Sequence, residues 1–267
     1  MPENAIEISN LSFAYDTRRQ ILHGISLTVP HGQVVAIMGG SGSGKTSLLR
    51  NICGQVEPSK GEITVLGRRL SSLSAGDLYL LRRDVGVLFQ FGGLFTDLSV
   101  YDNVAFPLRE HWNLAPSTVR DIVMLKLESV GLRGSARLFP SELSGGMQRR
   151  MGLARAVATD PRLILYDEPF AGLDPISLAI TANLIQQINS ALNATSIIVT
   201  HDVAETFKIA DYAYLMWQGN LVAQGTPAEM QTSSLPYVRQ FLDAKTDGPL
   251  PFHQPAPPLA EDLEFNA

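Results

Sequence analysis

A glycine-rich run near the start of the sequence has the spacing of a phosphate-binding loop, G-x-x-x-x-G-K-[ST]. It follows the unbroken apolar run Val34–Met38, typical of a strand buried on both faces, and precedes residues 48–52, which can open a helix. Glycines let backbone N–H groups turn toward phosphate oxygens, and a helix N-terminus adds the positive end of its dipole. The predicted nucleotide site consists of Gly39, Gly40, Ser41, Gly42, Ser43, Gly44, Lys45, Thr46 and Ser47.

Two side chains at the end of this loop could act on a nucleotide directly. Lys45 can reach the β and γ phosphates, and the hydroxyl of Thr46 can ligate Mg²⁺. The alternative is a Gly/Ser-rich loop with an incidental lysine. The order of strand, loop and helix disfavours that alternative, so nucleotide binding is predicted.

Polar residues also follow two later apolar runs. Asp167 and Glu168 come directly after residues 163–166, at the position where an open α/β sheet carries its ligand groups. Asp167 is predicted to ligate Mg²⁺ and Glu168 to polarise the attacking water, although an acidic pair in a surface turn is the alternative. His201 follows the predicted strand at residues 196–200 in the same way. A lone histidine is usually structural, but this third strand end favours a functional role.

Composition restricts the classes of protein to which the chain can belong. Its 267 residues are 45% hydrophobic, enough for a substantial core, and the net charge of -5 gives no reason to expect a nucleic-acid partner. The single Cys53 cannot form an internal disulfide, and no cleavable signal is visible. No stretch has the roughly 18 to 20 apolar residues of a membrane span. A cytoplasmic chain that borrows any membrane role from a partner is therefore expected.

The remaining periodicity predicts an α/β fold. Short strands at residues 6–9, 25–29 and 63–66 indicate an antiparallel sheet beside a parallel one. Residues 99–159 form a predicted inserted helical subdomain, in which 117–130 and 145–158 show helical spacing. The predicted domain at 1–243 is followed by a proline-rich acidic extension at 244–267.

A second candidate anion site lies in the run Leu143-Ser144-Gly145-Gly146-Met147-Gln148. Ser144 can cap the helix that begins there, and the two glycines leave its first N–H groups open to an anion. Taken alone, the run could be a simple helix start. Taken with the phosphate loop, it resembles the signature motif of ATP-binding cassette proteins, with the other motifs in the expected order from residue 6 to about residue 241.

This resemblance implies a fold, an activity and a dimer. The fold is a RecA-like P-loop NTPase core with an antiparallel β subdomain and an inserted helical subdomain, and the activity is hydrolysis of ATP with Mg²⁺. In this family the signature of one subunit closes on nucleotide held by the other. The implied homodimer would therefore place Ser144, Gly145 and Gly146 against the ATP of the partner.

Further roles come only from the resemblance. Tyr15 is similar to the aromatic that stacks on adenine, Gln90 to the glutamine that contacts Mg²⁺ and water, and His201 to the γ-phosphate histidine. Asp174, at the end of residues 171–174, matches a loop that touches the opposite subunit. For Tyr15, core packing is the alternative.

Within the family, residues 88–98, 103–109 and 247–252 resemble Mla-type ATPases, which drive phospholipid transport between bacterial membranes. The implied complex contains two copies of the chain, two membrane permease subunits, a periplasmic lipid-binding subunit and a small cytoplasmic regulatory protein. It would place the chain on the cytoplasmic face of a bacterial inner membrane. The alternatives are a transporter of another solute, a soluble cassette protein and a small-molecule kinase.

Two apolar segments carry expectations about these partners. Phe91, Leu94, Phe95 and Leu98 follow Gln90 and could line a groove for a permease helix or pack in the core. The tail at 245–267 could be disordered or, as the resemblance implies, could clasp the second ATPase copy.

Overall fold

The computed structural model describes residues 3–16, 19–90 and 92–250, which form two β-sheets and the helices around them. The strands are β1 (Asn4–Ala14), β2 (Gln20–Pro30), β3 (Val34–Met38), β4 (Lys60–Val65), β5 (Arg68–Arg69), β6 (Val85–Leu88), β7 (Leu163–Asp167), β8 (Thr195–Thr200), β9 (Tyr212–Trp217) and β10 (Asn220–Gly225). The helices are α1 (Lys45–Ile52), α2 (Ala75–Arg82), α3 (Val100–His111), α4 (Pro116–Ser129), α5 (Gly145–Ala156), α6 (Pro175–Leu192), α7 (Val203–Ile209), α8 (Pro227–Thr232) and α9 (Pro236–Leu242).

The larger sheet has the strand order β10-β9-β3-β8-β7-β6 and confirms the predicted parallel core. Its strands run parallel except for the antiparallel pair β9 and β10. Every residue of β3, β7 and β8 is buried, as expected for strands covered on both faces. Met38 pairs with Thr200, and Asp167 pairs with Val199, so the carboxyl ends of the three strands meet at one edge. The loops that follow them converge there.

The smaller sheet is antiparallel, with the strand order β2-β1-β4-β5. Ile8 pairs with Leu27 on one side and Ile63 on the other, and all three side chains are buried. They share one apolar cluster with Leu48 of α1 and Ile37 of β3. Helix α1, which carries the end of the phosphate loop, is thus packed between the two sheets.

The helices α3, α4 and α5 confirm the helical content predicted for residues 99–159. Their shared core includes Val104, Val123, Leu127 and Met151, each of them fully buried. The side chain of Ser99 caps α3 by accepting from the N–H of Asp102. The cap of α3 and the shared apolar faces explain why helices form where the periodicity predicts them.

The predicted boundary at residue 243 stays a prediction. Gln240 of α9 donates to the carbonyl of Leu250 at 2.9 Å and accepts from its N–H at 2.6 Å, so the segment after α9 folds back on this helix. Most of the predicted extension, at 251–267, lies outside the described residues, as does Phe91. Within the described ranges, no helix has both the length and the apolarity to span a membrane.

One side chain joins the two sheets by hydrogen bonds. The hydroxyl of Tyr214 in β9 donates to the carbonyl of Thr28 in β2 at 2.9 Å and accepts from its N–H at 3.3 Å. Tyr212 lies two residues earlier on the same strand, and its hydroxyl makes no hydrogen bond to any residue that the structure describes. Substitution of Tyr212 therefore serves as the control for substitution of Tyr214.

We expect Tyr214→Phe to lower the free energy of unfolding by about 1 kcal/mol, because backbone groups of Thr28 lose their partner. Tyr212→Phe should change it by less than about 0.5 kcal/mol. Urea unfolding followed by fluorescence measures both. Equal effects of the two substitutions would show that the Tyr214 hydrogen bonds do not stabilise the joint between the sheets.

Candidate functional site

Two glycines in the loop between β3 and α1 have backbone conformations that would be strained for any other residue. Gly39 has a φ of 150°, and a Cβ added there would lie 2.3 Å from the carbonyl oxygen of Met216. Gly44 has a φ of 99° and precedes α1 without providing a side-chain cap. The first N–H groups of α1 are therefore free of side-chain acceptors and suit an anion.

Lys45 is the buried cation of this loop. Its Nζ donates to the carbonyls of Gly39 and Gly40 at 2.8 and 2.9 Å and lies 3.8 Å from Oε1 of Glu168. Burial lowers the pKa of Lys45, and the carboxylates of Glu168 and Asp167 oppose that shift. The ammonium is thus held against the loop, beside the acidic residues at the carboxyl end of β7.

Thr46 and Asp167 form a pair of oxygen donors. The hydroxyl of Thr46 donates to Oδ1 of Asp167 at 3.1 Å, which joins the start of α1 to the end of β7. Burial raises the pKa of Asp167, and the hydrogen bond from Thr46 acts in the opposite direction. Adjacent hydroxyl and carboxylate oxygens are the ligands that Mg²⁺ prefers, so these residues fit the predicted ion. The described residues contain no separate cluster of histidine, cysteine and carboxylate side chains suited to a metal.

Glu168 is buried between two positively charged or chargeable groups. Its Oε2 lies 2.9 Å from Nδ1 of His201 and lacks hydrogen-bond geometry, so the contact is an ion pair only when the histidine is protonated. The backbone of Glu168 is left-handed, with a φ of 50°, and its N–H donates to the carbonyl of Val199 at 2.8 Å. Such strain in a residue other than glycine is typical of functional sites. The neighbouring strand β8 holds the backbone of Glu168 in place.

Lys45, Thr46 and Glu168 border one cavity of about 650 Å³. Gly39 is not among its lining residues, and Asp167 lines a separate cavity of about 330 Å³ that Thr46 also borders. Gln90 lies at the wall of the larger cavity together with Glu168 and His201, whose side chain is 63% exposed. The predicted loop lines the cavity from Gly40 to Ser47, so the structure brings these candidates together. Arg19 and Ile21 also line it and were not predicted. The sequence signal available for Arg19 was only a basic residue shortly after Tyr15, which is too common to single out.

Tyr15 does not line this cavity, although all of the lining residues are among those described. Its ring packs edge-on against Phe13, and the whole residue is 54% exposed. Its hydroxyl lies 3.3 Å from Oγ of Ser47 and accepts from Arg50 at 3.1 Å. The tyrosine therefore stands beside the first turn of α1, and its contact with adenine stays a prediction.

The second candidate anion site lies away from the cavity. Ser144 caps α5 by accepting from the N–H of Met147 at 3.3 Å, and Asp174 caps α6 by accepting from the N–H groups of Ile176 and Ser177 at 3.0 and 3.1 Å. Ser144, Gly145, Gly146 and Asp174 are all described residues, and none of them lines the cavity of about 650 Å³. One chain therefore presents two separate candidate anion sites.

A groove of about 310 Å³ lies on another face, between the β6 edge and α3. Phe89, Phe95 and Phe106 line it, and the rings of Phe95 and Phe106 pack at a tilt of 48° with their centres 4.6 Å apart. Of the four apolar residues expected at such a groove, Phe95 lines it, whereas Leu94 packs against the helical core and Leu98 is not among its walls. Phe91 lies outside the described residues.

Comparisons with known proteins agree with this geometry. A family profile described as "ABC transporter" matches residues 22–171, more than half of the chain. The chain is 50% identical to the "Intermembrane phospholipid transport system ATP-binding protein MlaF" of Haemophilus influenzae, over 98% of this chain and 99% of that protein. It is 43% identical to the "Probable ribonucleotide transport ATP-binding protein mkl" of Mycobacterium leprae, over 92% of this chain and 71% of that protein.

A solved structure of an ATP-binding cassette has a similar fold. The dimeric post-hydrolysis state of the ATP-binding cassette MJ0796, bound to ADP and Pi, superimposes with a TM-score of 0.77 at 28% identity. The match covers 83% of this chain and 98% of that chain.

Proposed function

The chain belongs to the ABC transporter family and is an ATPase of the cassette type, and on that premise we propose that it drives phospholipid transport between the inner and outer membranes of a bacterium. Its similarity to the Haemophilus influenzae protein, at 50% identity over nearly the whole of both chains, supports this substrate. The relative named for ribonucleotide transport is 43% identical and matches over only 71% of its length. Phospholipid is therefore the substrate that the comparisons favour.

The single observation that carries the proposed chemistry is the position of Glu168 at the phosphate loop. Its carboxylate lies 3.8 Å from Nζ of Lys45 and 2.9 Å from Nδ1 of His201. In the proposed mechanism Glu168 orients and accepts a proton from the attacking water, while Lys45 and His201 stabilise charge on the γ-phosphate. The backbone N–H groups between Gly40 and Lys45 hold the remaining phosphate oxygens.

We assign Mg²⁺ to the oxygen donors of Thr46 and Asp167, with Gln90 lining the same cavity as Thr46. When bound, the ion neutralises charge on the β and γ phosphates. The chain contributes the hard oxygen ligands and excludes water through the burial of Asp167. Tyr15 remains our candidate for stacking on adenine, by a movement of its exposed ring.

We further propose that the working unit is a dimer with shared sites. Ser144, Gly145, Gly146 and Asp174 lie away from the cavity of their own chain, so a second chain is needed to bring them to an ATP. The capped start of α5 suits a γ-phosphate held by the partner. The cassette dimer of MJ0796 supports this arrangement.

The groove beside β6 is our candidate for the contact with the membrane permease. Its lining includes the rings of Phe89, Phe95 and Phe106 and the cations Arg82 and Arg155. No acidic side chain is among the described residues that line it. A short amphipathic helix carrying a carboxylate would match both its apolar floor and its charge.

The remaining partners follow from the proposed transport system. The complex would include a periplasmic lipid-binding subunit and a small cytoplasmic regulatory subunit, with this chain on the cytoplasmic face of the inner membrane. No nucleic-acid partner is proposed, since the net charge is -5.

Isolation of the full chain in its native assembly tests the substrate. We expect an integral membrane protein to copurify and mass spectrometry to find phospholipid bound above the level in a matched detergent control. A different bound solute, with phospholipid at the control level, would contradict phospholipid transport and leave the ATPase assignment standing.

Glu168→Gln should lower ATP hydrolysis by at least about 100-fold while nucleotide binding is retained, because the amide keeps the shape of the side chain but cannot accept the proton. Lys45→Ala should instead weaken nucleotide binding by about 10-fold or more, since a buried charge facing the phosphates is lost. Equilibrium titration with ATP and steady-state hydrolysis in the assembled complex separate the two defects. Hydrolysis by Glu168→Gln within a few fold of the unmodified chain would remove Glu168 from its proposed role.

Phe106→Asp should abolish copurification of the permease, because a charge replaces an aromatic ring at the groove. Phe139→Asp is the matched control, since Phe139 is 44% exposed, close to the 42% of Phe106, and lies outside the groove. Both variants should bind ATP like the unmodified chain. Equal permease recovery with the two variants would show that this groove is not the docking site.

A further inference from the structure

Arg149 is a buried cation in the second turn of α5. It lies one turn beyond Gly145 and Gly146, and the whole residue is only 8% exposed. An unpaired buried guanidinium is costly, so such a group needs acceptors on several sides. The proposed hydrolysis mechanism makes no use of this residue.

Its acceptors are backbone carbonyls in two loops of the site. Nη1 donates to the carbonyls of Phe89 and Gln90 at 3.2 and 2.6 Å, and Nη2 donates to the carbonyl of Ala171 at 3.2 Å. The first loop carries the Gln90 side chain at the cavity wall. The second connects Glu168 to the α6 cap at Asp174. One side chain thus bridges three segments of the site.

Two neighbouring arginines on the same helix show how specific this arrangement is. Arg155 donates to the carbonyls of Gly92 and Gly93, so its hydrogen bonds reach only the loop after β6. Arg150 donates to the carbonyl of Val130 in the helical region, away from the site. Of the arginines in α5, Arg149 alone joins the loop of Gln90 to the loop between Glu168 and Asp174.

We propose that Arg149 is a positioning residue that holds the loops of Gln90 and Ala171 in fixed register with the start of α5. The inference rests on the proposed ATPase mechanism, in which all three segments act. A planar guanidinium can satisfy carbonyls in two directions at once, whereas a lysine ammonium is a point charge on a flexible stem. Displacement of Gln90 would therefore also displace the signature residues and the loop that ends at Asp174.

The test compares Arg149→Lys with Arg150→Lys in the full chain within its native assembly. We expect Arg149→Lys to bind ATP within threefold of the unmodified chain, to lower kcat at least 10-fold, and to change KM little. Arg150→Lys should stay within twofold in each quantity. The fold loss in kcat caused by Arg149→Lys should be at least threefold smaller in a Gln90→Ala background than in the otherwise unmodified chain, because Arg149 acts partly through Gln90.

A second measurement does not depend on hydrolysis. Amide hydrogen exchange should rise in Arg149→Lys in both the 88–90 and the 168–174 segments, and should be unchanged there in Arg150→Lys. Absence of hydrolysis by the unmodified chain would count against the proposed function, while the exchange result would still decide the role of Arg149.

Three outcomes would overturn the inference. One is unchanged exchange in either loop of Arg149→Lys. Another is a kcat loss of the same size with and without the Gln90 side chain. The third is a parallel loss of folded protein and ATP affinity, which would make Arg149 a purely structural residue.

Discussion

The central parallel sheet imposes the constraint on which the site depends. β3, β7 and β8 are buried along their whole length, so they have no surface on which to carry a ligand group except at their ends. Their register brings those ends to one edge. Polar residues can leave the core only there, and this is why the phosphate loop, the acidic pair and His201 meet although they are far apart in sequence.

The buried cations at the site donate hydrogen bonds mainly to backbone carbonyl oxygens. Lys45 donates to Gly39 and Gly40, and Arg149 donates to Phe89, Gln90 and Ala171. Carbonyl dipoles stabilise a cation without neutralising it, whereas a carboxylate at contact distance would cancel more of its field. Lys45 therefore keeps its capacity to attract phosphate. The carbonyl partners of Lys45 and Arg149 lie in loops, so the same contacts also fix loop conformation.

The parts of the fold that the sequence predicted are those with local signals. The phosphate loop, the buried strands and the capped start of α5 each combine composition with periodicity over a short stretch. The helix α6 was not predicted, although Asp174 followed by Pro175 is a helix-start signal. The cation at Arg19 and the bridge from Arg149 depend on contacts between distant segments, and no local pattern reports those. Tyr15 was placed by resemblance, and its ring lies outside the cavity lining.

The left-handed backbone of Glu168 affects the thermal stability of the protein. A residue with a Cβ at a φ of 50° costs on the order of 1 kcal/mol relative to glycine, which adopts that conformation freely. Glycine lacks the carboxylate, so the most relaxed residue for this turn is one that the proposed chemistry cannot use. Thermal stability and catalytic turnover therefore favour different residues at position 168.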